Sequence, residues 1–201
     1  MALIFMVTSF LCISVITMAI PFVSQNRSVY DREYVSTMYS SVAHALSLAV
    51  VEFVYCIGLS MLFLTCFNWF CGLSTTNEAW MWFWVSLVVS MALWSYQGHL
   101  LVYALPTMQV AVLMGGGLSA LLFESSGFMI DGNALSEGWQ WAYWVSPVHY
   151  MLEIILTTQV QAVQAFSFDN VGRDMAILWA LILALQGMLL YCMTKVNHTT
   201  R

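Results

Sequence analysis

The chain has 201 residues, 61% of them hydrophobic and only 7% charged, with a mean hydropathy of +0.82. A soluble domain carries about 25% charged residues, so this chain cannot build a water-facing surface and its solvent is lipid. A net charge of -5 with five Lys+Arg excludes a nucleic-acid reader, which needs a basic patch. Lys195 is the single lysine and has no Gly-rich turn before it, which excludes a P-loop nucleotide site.

A spanning helix needs about 20 mostly apolar residues, and the chain offers five such runs. The first is 1–23. It opens without a basic leader and without a small-residue cleavage site, so a cleaved signal peptide is not expected. A start inside a span points to a piece of something longer. A polar segment, 27–41, follows. In it Val29, Tyr30, Tyr34, Val35, Met38 and Tyr39 fall near helical spacing. That pattern predicts a helix lying on the membrane surface with its charged face free. The second run is 45–70, and Glu52 near its start reads as an interfacial anchor for Arg27 or Arg32. The third is 80–103. It carries His99, read as a satisfied polar group between helices, and Pro106 ends it. The fourth, 109–130, contains Gly115-Gly116-Gly117, which suits close packing or a pliable point.

Glu124 lies in this fourth run. An ionisable residue at membrane depth is costly. Two readings stay open for it: a carboxylate reaching water or bonding Ser125 and Ser126, or a group in a polar cavity. Between the fourth and fifth runs lies 131–174, rich in Trp and Tyr. It reads as a re-entrant or interfacial hairpin broken at Pro147. His149 and Glu153 share one helix face there. The fifth run is 175–194. Arg27, Arg32, Lys195 and Arg201 then fall on one side and Arg173 on the other, which puts 27–41 inside and 131–174 outside. Eight of the nine tryptophans, all but Trp94, lie at or near predicted outer ends. The cysteines form no CxxC pair and no cluster with histidine at metal spacing, so no metal site is expected. The expected fold is an all-α polytopic membrane helix bundle of about five spans plus the external hairpin.

Two stretches carry a family resemblance. One is Val29-Tyr30-Asp31-Arg32-Glu33, then Met38-Tyr39-Ser40, then Glu52. The other is Gly127-Phe128-Met129-Ile130, then Trp139 through Pro147, then Tyr150. In this order and spacing they resemble the membrane domain of ABC exporters of the G subfamily, the pleiotropic drug resistance and white type. The resemblance covers nearly the whole chain. It implies six spans per domain, of which these would be the second to sixth. The missing first span and nucleotide-binding domain would lie elsewhere.

The resemblance also implies roles. Arg32, Glu33 and Tyr39 would touch the ATPase domain. A substrate path along the first and fourth runs here would include Phe5, Phe10, Leu113, Met114 and Glu124, with Leu113 and Met114 as the apolar closure. ATP and Mg would sit on a separate domain, with no cofactor in this chain. Partners would be that domain, a second membrane domain, the bilayer and a lipid or amphipathic substrate, at the plasma membrane. The chain departs from the family at Val54, where a proline is usual, and in having no cysteine in 131–174, which favours the full-size type. Two rivals remain on the sequence: a proton-coupled carrier or channel using Glu124 and His99, and a truncated fragment without transport.

Overall fold

The computed structural model describes residues 2–36, 38, 40–71, 77–128, 138–159 and 171–195. Seven α-helices make up the regular structure of these residues: α1 (Ala2–Val35), α2 (Ser41–Cys71), α3 (Asn77–Ala104), α4 (Met108–Glu124), α5 (Gln140–Val145), α6 (Pro147–Gln159) and α7 (Val171–Lys195). Four of them, α1, α2, α3 and α7, are long and apolar enough to cross a membrane. The fifth, α4, has 17 residues, at the lower limit of about 17–25 for a span. A polytopic all-α bundle therefore stands as expected from composition.

Helix directions alternate. Phe5 at the start of α1 stacks on Phe128 just after α4, with ring centroids 4.3 Å apart. Arg27 near the end of α1 meets the end of α3, at Val102 and Leu105. Thus α4, short as it is, runs from the end marked by Leu105 back to the end marked by Phe5. The hairpin of α5 and α6 packs at that second end.

At the centre is α3. Every residue from Ser86 to His99 is buried, because α1, α2, α4, α6 and α7 all pack against it. Burial on all sides is what an all-round apolar helix requires. Trp94 stacks flat on Phe123 of α4, at 5.1 Å and 2° between planes. α1 lays a stripe on this centre: Phe5, Thr8, Cys12, Ile16, Ala19, Ile20 and Val23 are buried. Leu3, Met6, Phe10 and Ile13 face outward. Such one-sided burial at steps of three and four is the helical period.

Two expected boundaries shift. The first span does not stop at Val23; α1 continues unbroken for 34 residues, about 50 Å at 1.5 Å per residue. That exceeds a hydrocarbon core of about 30 Å, so the polar segment up to Val35 extends the same rod. No proline or glycine lies between Val23 and Val35 to end it. Of the apolar residues expected to share a face there, Tyr30 is buried and Val29, Tyr34, Val35 and Met38 are exposed. The fourth helix ends at Glu124 and not near Ile130. Gly127 there adopts φ +86, a conformation that a glycine accepts without the cost a Cβ would add.

Arg27 closes the end of α3. Its Nη1 donates to the Val102 and Leu105 carbonyls at 2.6 and 2.7 Å. These are groups a helix end leaves without a partner, and a cation is favoured there by the helix dipole. Around it, the Tyr30 hydroxyl donates to Ser41 Oγ at 2.9 Å, and His44 Nε2 and the Tyr103 hydroxyl share a bond of 3.0 Å.

Two stability outcomes follow. Arg27→Ala leaves those carbonyls unpaired and lowers stability by about 1–3 kcal/mol, read as a lower unfolding midpoint in detergent. Arg32→Ala, at an exposed position, leaves the midpoint unchanged. In the glycine triplet, a Cβ on Gly115 would lie 3.0 Å from Ile20 Cδ1 and 3.4 Å from Leu101 Cδ1, whereas Gly116 has nothing within 4 Å. Gly115→Leu therefore costs about 1–3 kcal/mol by overpacking. Gly116→Leu is tolerated, and the same thermal assay separates the two.

Candidate functional site

Polar chemistry gathers at the two ends of the bundle. At the Arg27 end, α1 and α2 meet in a groove of about 340 Å³ lined by Asn26, Val29, Tyr30, Glu33, Ala43, His44 and Ser47. Arg32 is exposed and turns its Nε to the Ser28 carbonyl at 3.2 Å. Glu33 is half-buried and lines the groove. The two residues thus share one rod end, with Arg32 toward solvent and Glu33 toward α2. Tyr39 lies outside the described residues.

Along the bundle, a second cavity of about 360 Å³ opens between α1 and α2. Val15, Met18, Ala19 and Phe22 line it from α1, and Glu52, Tyr55, Cys56 and Leu59 from α2. Its wall is apolar apart from the Glu52 carboxylate and the Tyr55 hydroxyl. Glu52 does not pair with Arg27 or Arg32: the Ser95 hydroxyl of α3 donates to its Oε1. The nearby Tyr96 hydroxyl donates to the Ala49 carbonyl at 2.9 Å. Sequence reasoning missed this cavity. Its one signal was Glu52 itself, a carboxylate inside an apolar run.

The residues read as a path are not gathered into one enclosed site. Phe5 is buried, stacked on Phe128, and fills the end of the bundle. Phe10, Leu113 and Met114 are exposed on the outward faces of α1 and α4. Glu124 ends α4 and is exposed. It is not held by Ser125, whose hydroxyl donates to the Leu121 and Leu122 carbonyls at 2.9 and 3.3 Å. His99 is 1% exposed, and neither ring nitrogen has a hydrogen-bond partner among the described residues. Its expected partner is therefore absent there, and its close neighbour is the Tyr96 ring at 5.9 Å.

At the Phe5 end the hairpin breaks as expected, with α5 and α6 separated by Ser146 alone before Pro147. The Ser146 hydroxyl donates to the Leu122 carbonyl at 2.8 Å and so ties the break to α4. One turn into α6, His149 Nε2 lies 3.7 Å from Glu153 Oε2, on the shared face that the spacing predicted. Burial pushes the His149 imidazole below its ordinary value, although Glu153, Asp174 and a backbone bond at Ser126 pull the other way. No group of three or more His, Cys, Asp or Glu with metal-binding placement occurs among the described residues.

The ABC-2 type transporter family model matches residues 1–160. ABC transporter G family member 49 of Oryza sativa subsp. japonica is 28% identical over 204 residues, covering 91% of this chain. Member 41 from the same plant is 29% identical over 182 residues, covering 83%. ABC transporter G family member 36 of Arabidopsis thaliana is 24% identical over 203 residues, covering 90%. The chain spans only 13–14% of the length of these three relatives. With matched residues running from α1 to the end of the hairpin, and a multi-pass helical bundle beneath them, this chain belongs to the ABC-2 type transporter family as a membrane domain of the G subfamily.

Proposed function

We propose that the chain forms the transmembrane part of an ATP-driven exporter of lipids or of amphipathic and apolar compounds, at the plasma membrane. The observation that carries this reading is the family match across residues 1–160. Two features of the bundle support it. The cavity between α1 and α2 offers an apolar wall with one carboxylate, a lining suited to an amphipathic molecule. The outward faces of α1 and α4 present Phe10, Leu113 and Met114, where a second membrane domain would complete a path that a single bundle leaves open. Glu124 would stand at the outer end of that path.

ATP and Mg would be bound by a nucleotide-binding domain that is no part of these residues, and that domain would dock at the end of α1. Arg32 and Glu33, together with Tyr39, are the residues assigned to this contact. The rod geometry favours Arg32 and Glu33: they lie on the part of α1 that extends beyond the thickness of a hydrocarbon core, so a partner there would act directly on a spanning helix.

In the complete transporter, Glu33→Arg should reduce substrate-stimulated ATPase activity several-fold while membrane insertion stays normal. Normal transport by both Arg32→Ala and Glu33→Ala at normal expression would remove the coupling role. Sidedness is checked with single cysteines in a background lacking the native ones. An impermeant thiol reagent on intact cells should label Asn133→Cys and spare Ser28→Cys. The opposite pattern would invert the topology.

A further inference from the structure

Beside the hairpin lies a cavity of about 330 Å³ lined by Ser126, Gly127, Phe128, Tyr143, His149, Leu152 and Glu153. Three kinds of group meet in it. The first is aromatic: Phe128 and the Tyr143 and His149 rings, the last two 4.2 Å apart, line the wall. The second is anionic. Glu153 forms part of the wall, and Asp174 of α7 is close enough to Glu153 and His149 to act on both electrostatically. Asp174 is 0% exposed, and its Oδ2 has no hydrogen-bond partner among the described residues. Arg173 holds only Oδ1, at 3.2 Å, with its own side chain 59% exposed, so water screens its charge. The third is a hydroxyl: Ser126 lines the cavity, and its buried Oγ has no partner among the described residues.

The Glu153 carboxylate in the wall, with Arg173 screened by water, leaves the locality negative. Aromatic faces and carboxylates together are the chemistry that holds an alkylammonium ion, through the ring quadrupole and Coulomb attraction. The volume lies at the small end of ligand pockets. We propose that this cavity binds a compact alkylammonium group, with Tyr143 and Glu153 as its recognition residues and the Ser126 hydroxyl meeting a polar group on the ligand. The same chemistry reaches the site on a free organic cation or on a choline lipid headgroup. Gly127 shapes the pocket: a Cβ there would lie 2.7 Å from Tyr143 Cε2, so a larger residue would displace the ring.

The test is a calorimetric titration of the purified chain in a neutral maltoside detergent, without ATP or partner domains. It therefore reads independently of the exporter reading. Choline is the probe, and 3,3-dimethylbutan-1-ol, its uncharged isostere, is the control. Choline should bind at least tenfold more tightly than the isostere. Glu153→Gln should weaken choline about tenfold, Tyr143→Leu several-fold, and Tyr191→Leu, at an exposed position on α7, not at all. If Glu153→Gln does not fold by circular dichroism and gel filtration, Glu153→Asp and Tyr143→Leu carry the comparison. No saturable choline binding, equal binding of the isostere, or indifference to the folded Glu153 and Tyr143 variants would each overturn the proposal. Nanodiscs separate the sources. Free choline bound in phosphatidylglycerol discs but suppressed in phosphatidylcholine discs identifies a headgroup site, and equal binding in both identifies a site for free cations.

Discussion

The enclosure of α3 is the constraint on which the rest of the bundle depends. A helix buried from Ser86 to His99 has no water to satisfy its polar groups, and within a bilayer an unsatisfied group costs several kcal/mol. The neighbours supply partners for several of them, while Ser90 Oγ, Gln97 Nε2 and both His99 ring nitrogens have none among the described residues. The Ser95 hydroxyl donates a hydrogen bond to Glu52 of α2, Tyr96 donates to the Ala49 carbonyl, and Arg27 of α1 donates to the last carbonyls of the helix. Two of these bonds fix α2 and the Arg27 pair fixes α1 against α3, so the placement of both helices is set by polar pairs inside an apolar assembly. Apolar contact alone would not choose among helices, since lipid tails are as apolar as leucine. Close contact then depends on shape, as where Gly115 admits Ile20 and Trp94 lies flat on Phe123.

Burial is lopsided. α3 is sheathed, while α1, α2 and α4 each turn a broad apolar face outward, with Phe10, Tyr55 and Leu113 among its members. In water such a surface would drive aggregation. In lipid it carries no such penalty, and the faces are free to meet acyl chains, a second domain or a substrate. The only carboxylate on these helices that lines the α1–α2 cavity is Glu52, and its partner Ser95 belongs to the sheathed helix. That bond ties the Glu52 side chain in the cavity wall to the sheathed helix.

The sequence made the bundle legible because the signal for a span is length and apolarity, both local. It also showed the hairpin break, since Pro147 cannot continue a helix that needs its N–H, and the His149–Glu153 face, since a four-residue step needs no tertiary knowledge. The continuous α1 was not legible. Arg27, Asp31 and Arg32 read as a surface segment, and only the contact of Arg27 with the far end of α3 shows why a charged stretch stays on the rod. Glu52 was misassigned for the same reason. Its partner is 43 residues away, and charge pairing along the sequence pointed to the nearer arginines. The burial of Asp174 and the partnerless imidazole of His99 likewise depend on which helices surround them, which periodicity does not state.

α1 joins the two chemically active ends. Phe5 touches Phe128 beside the hairpin cavity, and Arg27 and Glu33 lie at the opposite end. Between Phe5 and Arg27 run 22 helical steps, about 33 Å. An α-helix resists stretching because each step closes a hydrogen bond. A displacement imposed on the Arg27–Val35 extension therefore has two outlets: it moves Phe5 against Phe128, or it bends the rod. Bending costs least at Pro21, where one intrahelical bond is already missing. The residues flanking that point, Ala19, Ile20 and Val23, are buried against the bundle. A bend there would have to lift Ile20 from Gly115 and Ala19 from Gly98. Close packing at the two glycines thus stiffens the rod at the one place where its own hydrogen bonding is weakest, and favours transmission over bending.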